Sequence, residues 1–184
     1  MNIFVLSTGR AGSKTFAWAC QHLTNFTARH ELRAHQIGPI RFAFPDNHIE
    51  VDNRLSWHLG LLARHYDDKD VFYVHLKRDA EKTAQSFLRR WSASTFRASI
   101  IHAFAHGVVM KGNDWEESER IEVCRYYVDT INTNIEEFVK NRPHMTVHLE
   151  DGGVSFEAFL DRIQAQGDLE KCKTEWTIVR NAGR

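Results

Sequence analysis

The chain has no excess of either charge: 24 Lys and Arg balance 24 Asp and Glu over 184 residues. A neutral protein lacks the global attraction that nucleic-acid and anionic-membrane binders use, so any anion recognition must come from local basic clusters. Cysteine is scarce. Cys20, Cys124 and Cys172 are odd in number and have no metal-type spacing. This argues against a disulfide framework or a zinc module and for free thiols in a reducing compartment. Only three prolines occur, Pro39, Pro45 and Pro143, and there is no repeat, low-complexity tract or proline-rich linker. One domain over residues 1–184 is therefore expected, long enough to bury roughly 70% of its unfolded surface. No apolar run reaches the length of a membrane span, and the N-terminal one lacks the basic flank of a signal sequence. The expectation is a cytoplasmic protein with neither membrane nor nucleic acid as partner.

What is present is a regular alternation. Continuous apolar runs of strand length lie at Ile3–Leu6, Val71–Leu76 and Met145–Leu149, with a weaker strand pattern at Thr27–Arg33. Runs hydrophobic on both faces belong to parallel strands covered by helices. Helical patterns fill the intervals: Ser13–Asn25, Asn53–Tyr66, Asp79–Trp91, Glu116–Lys140 and Phe156–Ile163. Asp79 reads as an N-cap, and Asn141 with Pro143 as a helix stop. The expected fold class is α/β: a three-layer α/β/α domain with a mainly parallel sheet, like that of P-loop nucleotide-binding proteins. His75 and His148, inside apolar strands, read as satisfied core residues.

Ligands of such sheets bind at the carboxyl ends of the strands, where two basic segments fall. The first is Ser7-Thr8-Gly9-Arg10-Ala11-Gly12-Ser13-Lys14-Thr15, between the first strand and the first helix. A strand, a glycine turn and a helix start gather unpaired N–H groups and positive potential around one point, which suits phosphate or sulfate. The Walker pattern requires glycine directly before the lysine and another five residues earlier. Here Ser13 intervenes and Gly9 is too close, so the loop is a shortened relative. The second segment is Lys77-Arg78-Asp79 after the Val71–Leu76 strand, with Ser86 eight residues past Arg78. A nucleoside triphosphate needs one cradle. A nucleotide with a 5′-phosphosulfate and a separate 3′-phosphate needs two on neighbouring strand ends, and Arg78 offers a planar fork for a phosphate dianion.

These segments resemble the sulfotransferases that use 3′-phosphoadenosine 5′-phosphosulfate (PAPS). Residues Ser7 to Thr15 are similar to that family's 5′-phosphosulfate loop. Phe72–Asp79 with Ser86 is similar to its 3′-phosphate strand and helix. A looser similarity runs from Tyr126 to Leu149-Glu150-Asp151. The resemblance implies a single sulfotransferase-like domain that moves a sulfuryl group from PAPS to a hydroxyl or amine and releases adenosine 3′,5′-bisphosphate. It implies cofactor contacts from Gly9, Arg10, Ala11, Gly12, Ser13, Lys14, Thr15, Arg78 and Ser86. Arg10 takes the position of the family's catalytic cation, and Lys14 holds the 5′-phosphate beside it.

Sulfuryl transfer depends on positioning and charge neutralisation more than on covalent chemistry, so no metal is required. The acceptor hydroxyl needs a base. Glu31, at the end of the second predicted strand, is the first choice, with His30 and His35 as rivals. The acceptor itself, a small molecule, carbohydrate or peptide, is not specified; Phe42, Phe44, Phe96 and Phe104 are aromatic residues available to line its pocket. The chain departs from the family in three places. Substrate-covering insertions are reduced. The tryptophan that stacks on adenine in cytosolic members is Thr15 here, leaving Trp91 as the aromatic to take over. The C-terminal basic loop has a counterpart only in Arg180-Asn181-Ala182-Gly183-Arg184. Two other readings compete: a degenerate P-loop kinase using ATP and magnesium, and a nucleotide-binding module without chemistry.

Overall fold

The computed structural model describes residues 1–66, 69–91, 99–178 and 180. Five strands form one sheet: β1 (Asn2–Leu6), β2 (Thr27–His30), β3 (His48–Val51), β4 (Val71–Lys77) and β5 (His144–His148). All neighbours pair in parallel, in the order β2-β3-β1-β4-β5. The helices are α1 (Ser13–Ala19), α2 (Leu59–Tyr66), α3 (Ala80–Leu88) and α4 (Ile100–His102), the last running on as a π-helical segment over Ala103–Val108. They continue with α5 (Glu117–Val139), α6 (Val154–Arg162) and α7 (Leu169–Trp176).

Period-two alternation in the central strands divides the core into two layers. Phe4, Leu6, Val71 and Tyr73 pack with α2, α3, α4 and α5 on one face. Ile3, Val5, Phe72, Val74 and Leu76 pack with α1, α6 and α7 on the other. Each of these fully buried large side chains contributes roughly 2 kcal/mol of transfer free energy. The result is the expected three-layer α/β/α architecture. Asp79 caps α3 by accepting from the Lys82 amide at 2.8 Å. Glu116 and Glu119 form a capping box on α5, which ends at Lys140, ahead of Pro143. Among the described residues no helix is long and apolar enough to cross a membrane.

Several features differ from the sequence reading, among them the expected helix Asn53–Tyr66, which divides into a 3-10 turn over Asn53–Trp57 and α2. The first helix leaves α geometry at Ala19 and tightens to a 3-10 turn over Cys20–His22, because Leu23 turns extended and bridges Gly167. β3, His-Ile-Glu-Val, escaped detection because half of it is polar, yet all four residues are buried. Its polar half is satisfied internally: His48 Nε2 lies 3.0 Å from Glu50 Oε2, and its Nδ1 lies 2.8 Å from Thr27 Oγ1. α7 is mostly polar and buries only Cys172 and Trp176, too few for an apolar stripe to register. His75 is a core residue as expected; burial pushes its imidazole down to about 4, against the hydrogen bond to Asn132 at 3.1 Å. His148 is not: it is exposed, since β5 is an edge strand.

Candidate functional site

The turn between β1 and α1 departs from ordinary backbone at three positions, Gly9 (φ 80°), Arg10 (φ 58°) and Gly12 (φ 91°). Left-handed geometry is routine for glycine and costly for arginine, and such strain persists only where the surroundings over-determine it. They do so here by tying down four successive carbonyls. Ser56 Oγ donates to Ser7 O at 3.1 Å and Tyr127 Oη to Thr8 O at 2.7 Å. Thr8 Oγ1 donates to Gly9 O at 2.8 Å, and Arg78 Nη1 donates to Arg10 O at 3.2 Å. With these oxygens engaged by protein donors, their partial negative charge is offset where an anion would approach. At Gly12 a Cβ would lie 2.6 Å from Leu149 Cδ1, so any side chain there would have to displace the Leu149 side chain as well as hold a left-handed backbone.

The loop opens into a cleft of about 710 Å³. Arg10, Gly12, Ser13, Lys14 and Thr15 of the first segment line it together with Arg78, Ser86 and Arg89 of the second. The two basic segments read from the sequence thus share one cavity. They also touch: Arg10 Nε donates to Ser86 Oγ at 3.0 Å, across 76 residues of sequence. Gly9 and Ala11 stay outside the cleft. Gly9 faces Asn53, and Ala11 is 1% exposed in the core beneath α1. Thr15 is buried, and its Oγ1 donates to Ile178 O at 3.3 Å, so its hydroxyl serves the C-terminal segment.

Positive charge is concentrated here beyond what the carboxylates offset. Burial, followed by the repulsion of Arg90, Arg78 and Arg89, lowers the Arg10 guanidinium to about 10. It remains a cation at neutral pH, crowded by three others. One acid intrudes: Glu150 Oε1 lies 2.9 Å from Lys82 Nζ and 3.7 Å from Arg78 Nε, and its Oε2 accepts from the Asp79 amide at 3.0 Å. Burial alone would raise the Glu150 carboxyl; the bonds and charges from Lys82, Asp79 and Arg78 bring it below the usual range.

His30 and Glu31 follow β2. His30 Nε2 lies 3.0 Å from Ser13 Oγ, and its Nδ1 lies 4.0 Å from Glu31 Oε2. Burial, offset by Glu31, holds the His30 imidazole below its ordinary value. Glu31 Oε1 accepts from Arg54 Nη1 at 2.7 Å, so of the two only the histidine reaches the loop. His35 is exposed on the next turn. Trp91 does not offer a stacking face: it is 5% exposed and packs against His102 at 5.0 Å between ring centroids. Phe44 and Phe104 belong to the core, whereas Phe96 and residues 181–184 lie outside the described residues.

The remaining wall of the cleft was not read from the sequence. Leu149, Gly152 and Gly153 contribute after β5, and Trp176, Thr177 and Ile178 after α7. Trp176 stacks on Phe156 at 4.3 Å, and Arg180 sits 4.7 Å over the half-exposed ring of Trp18. The Asp151-Gly152-Gly153 turn between a strand and a helix repeats the pattern of the first loop. Both glycines have positive φ, 72° and 95°. That repetition was the available signal.

No family model matches the chain, and no curated protein matches it in sequence. A solved structure does match in three dimensions. The sulfotransferase domain from the curacin biosynthetic pathway superposes with a TM-score of 0.64 at 12% identity, over 98% of this chain and 80% of that one. The fold is therefore that of a sulfotransferase domain.

Proposed function

We propose that the chain is a PAPS-dependent sulfotransferase acting on a hydroxyl or amine. The observation that carries this reading is the single cleft in which Arg10 is bonded to Ser86 and Arg78 to the backbone of Arg10. One ligand with two anionic groups engages both segments at once; a triphosphate held by the first loop alone leaves Arg78 and Ser86 unused. The 5′-phosphosulfate lies along Arg10, Gly12, Ser13 and Lys14, and the ribose 3′-phosphate against Arg78 and Ser86. Ser86 Oγ accepts from Arg10, which leaves its hydroxyl hydrogen to donate to a phosphate oxygen. The incoming phosphate competes with Glu150 for Arg78 and Lys82. With the sequence's candidate tryptophan buried away from the cleft, the adenine ring takes the wall formed by Leu149, Gly152 and Gly153.

In the reaction the bond from sulfur to the 5′-phosphate oxygen breaks as the bond to the acceptor oxygen forms. Negative charge grows on the leaving phosphate, where Arg10 neutralises it. The acceptor proton passes to His30, the member of the His30–Glu31 pair that reaches the loop; its lowered pKa keeps it neutral and able to accept. Glu31, anchored by Arg54 and 4.0 Å from the ring, compensates the imidazolium that forms.

Calorimetry with adenosine 3′,5′-bisphosphate against ATP and magnesium tests the cofactor. The bisphosphate is expected to bind at least about tenfold tighter, the yield of one added charge-assisted contact. Tighter binding of ATP with magnesium rejects the proposal in favour of a kinase. A bisphosphate complex with no transfer over a broad acceptor panel leaves a binding module. For the base, His30→Gln is expected to lower turnover by about a hundredfold or more and Glu31→Gln by less, with bisphosphate affinity retained in both. Loss confined to Glu31→Gln returns the role to the carboxylate.

A further inference from the structure

A second cavity, about 590 Å³, opens between the segment 34–42, Arg54 and α2. It shares no described lining residue with the first cleft, but a relay of side-chain contacts already described links the two. Arg54 lines this cavity and holds Glu31; Glu31 faces His30, and His30 meets Ser13 of the loop. A group bound here adjoins the place where the acceptor must stand, so the assignment that follows rests on the proposed sulfuryl transfer.

The lining has an unusual composition. Arg41, Arg54 and Arg64 contribute three guanidiniums, and among the described residues no carboxylate lines the cavity. Arg54 is engaged by Glu31 and Arg41 by Asp52 beneath it. Arg41 is 4% exposed, yet its Nη1 has no hydrogen-bond partner among the described residues. A buried guanidinium N–H without a partner carries a substantial desolvation penalty unless a ligand or ordered water meets it. Arg64 is exposed, and no described carboxylate pairs with it. Burial, aided by Arg41 at His58 and by Lys69 at His65, lowers both imidazoles below their ordinary value. The rest of the wall is apolar. Ile37 is 88% and Leu61 44% exposed, with Pro39 and Phe42 between the charged groups. Large aliphatic side chains left open beside Arg64 and the unpartnered Nη1 of Arg41 fit an amphiphile and suit neither a neutral sugar nor a fully hydrophobic alcohol.

We propose that this cavity is the acceptor subsite, and that the acceptor is a hydroxylated small molecule with an apolar body and an anionic group such as a carboxylate. The apolar body lies against Ile37, Phe42 and Leu61, the anion faces Arg41 and Arg64, and the hydroxyl extends past Arg54 towards His30.

Calorimetric titration with ω-hydroxydodecanoate and with its methyl ester, on the whole protein, tests the assignment, with adenosine 3′,5′-bisphosphate as the control ligand. The acid is expected to bind about tenfold tighter than the ester, as charge-assisted hydrogen bonds provide. Arg64→Gln should remove most of that preference without changing bisphosphate affinity. Leu61→Ser should weaken acid and ester by equal factors. Equal binding of acid and ester, or an Arg64→Gln protein that keeps the full preference, overturns the proposal even if the bisphosphate binds well. Failure of the bisphosphate to bind, with the acid preference intact, instead removes the sulfotransferase reading and leaves the cavity as a site for anionic amphiphiles.

Discussion

Arg78→Ala is expected to weaken adenosine 3′,5′-bisphosphate binding by about thirtyfold to a hundredfold while leaving adenosine 5′-monophosphate within about threefold. A guanidinium facing a phosphate dianion makes charge-assisted bonds of about 1.5–3 kcal/mol each, and a forked pair exceeds one alone. Arg78 also donates to the Arg10 carbonyl at 3.2 Å, so its removal loosens the first loop slightly, and the monophosphate measures that loss by itself. Glu150 sharpens the contrast. Without Arg78 it retains Lys82 but loses its second cation, and its carboxylate then opposes an incoming phosphate more strongly. Arg78→Lys keeps the charge and loses the fork, so an intermediate affinity is expected. Calorimetry on the three proteins with both nucleotides checks this. Equal losses for monophosphate and bisphosphate would remove Arg78 from the 3′-phosphate.

The parts of the molecule legible in the sequence are those where local chemistry and tertiary role agree. β1 and β4 are central and buried on both faces, so unbroken apolar runs were their natural signature. The Gly9–Gly12 turn and the Asp79 cap announce themselves because positive φ and capping demand particular residues. β3 was hidden for the opposite reason. His48 and Glu50 are polar by type and buried by pairing with one another, an arrangement that only the third dimension reveals. Arg10 and Ser86 were each legible alone, but their 3.0 Å contact depends on β1 and β4 being neighbours. The His30–Glu31 pair shows the limit most clearly. His30 and Glu31 are adjacent in sequence, and the positive φ of Glu31 (55°) turns the two side chains to different partners. Alternation along a strand gives no warning of such a kink.

Arg10→Ala is expected to reduce turnover by about a hundredfold to a thousandfold, the loss typical when one preorganised donor is removed from a developing oxyanion. Bisphosphate affinity should fall far less, because Lys14 and Arg78 remain and because the largest charge on the 5′-phosphate exists only as the sulfuryl group departs. The substitution is clean in one respect: alanine and arginine both carry a Cβ, so the left-handed backbone at φ 58° is equally strained in each. Arg10→Lys should recover part of the rate. The pH profile supplies an independent readout. Burial and then the neighbouring arginines depress the Arg10 guanidinium to about 10 in the free protein. The cation is therefore nearly complete a unit or more below that pH and is lost as pH rises through it, and kcat/KM should decline on an alkaline limb at about 10. Bound phosphosulfate favours the charged form, so the limb in kcat should lie higher. Steady-state kinetics across this range, on the wild-type and both variants, decides the matter. If Arg10→Ala raises KM with kcat unchanged, Arg10 binds substrate and transition state equally, and the catalytic role passes to Lys14.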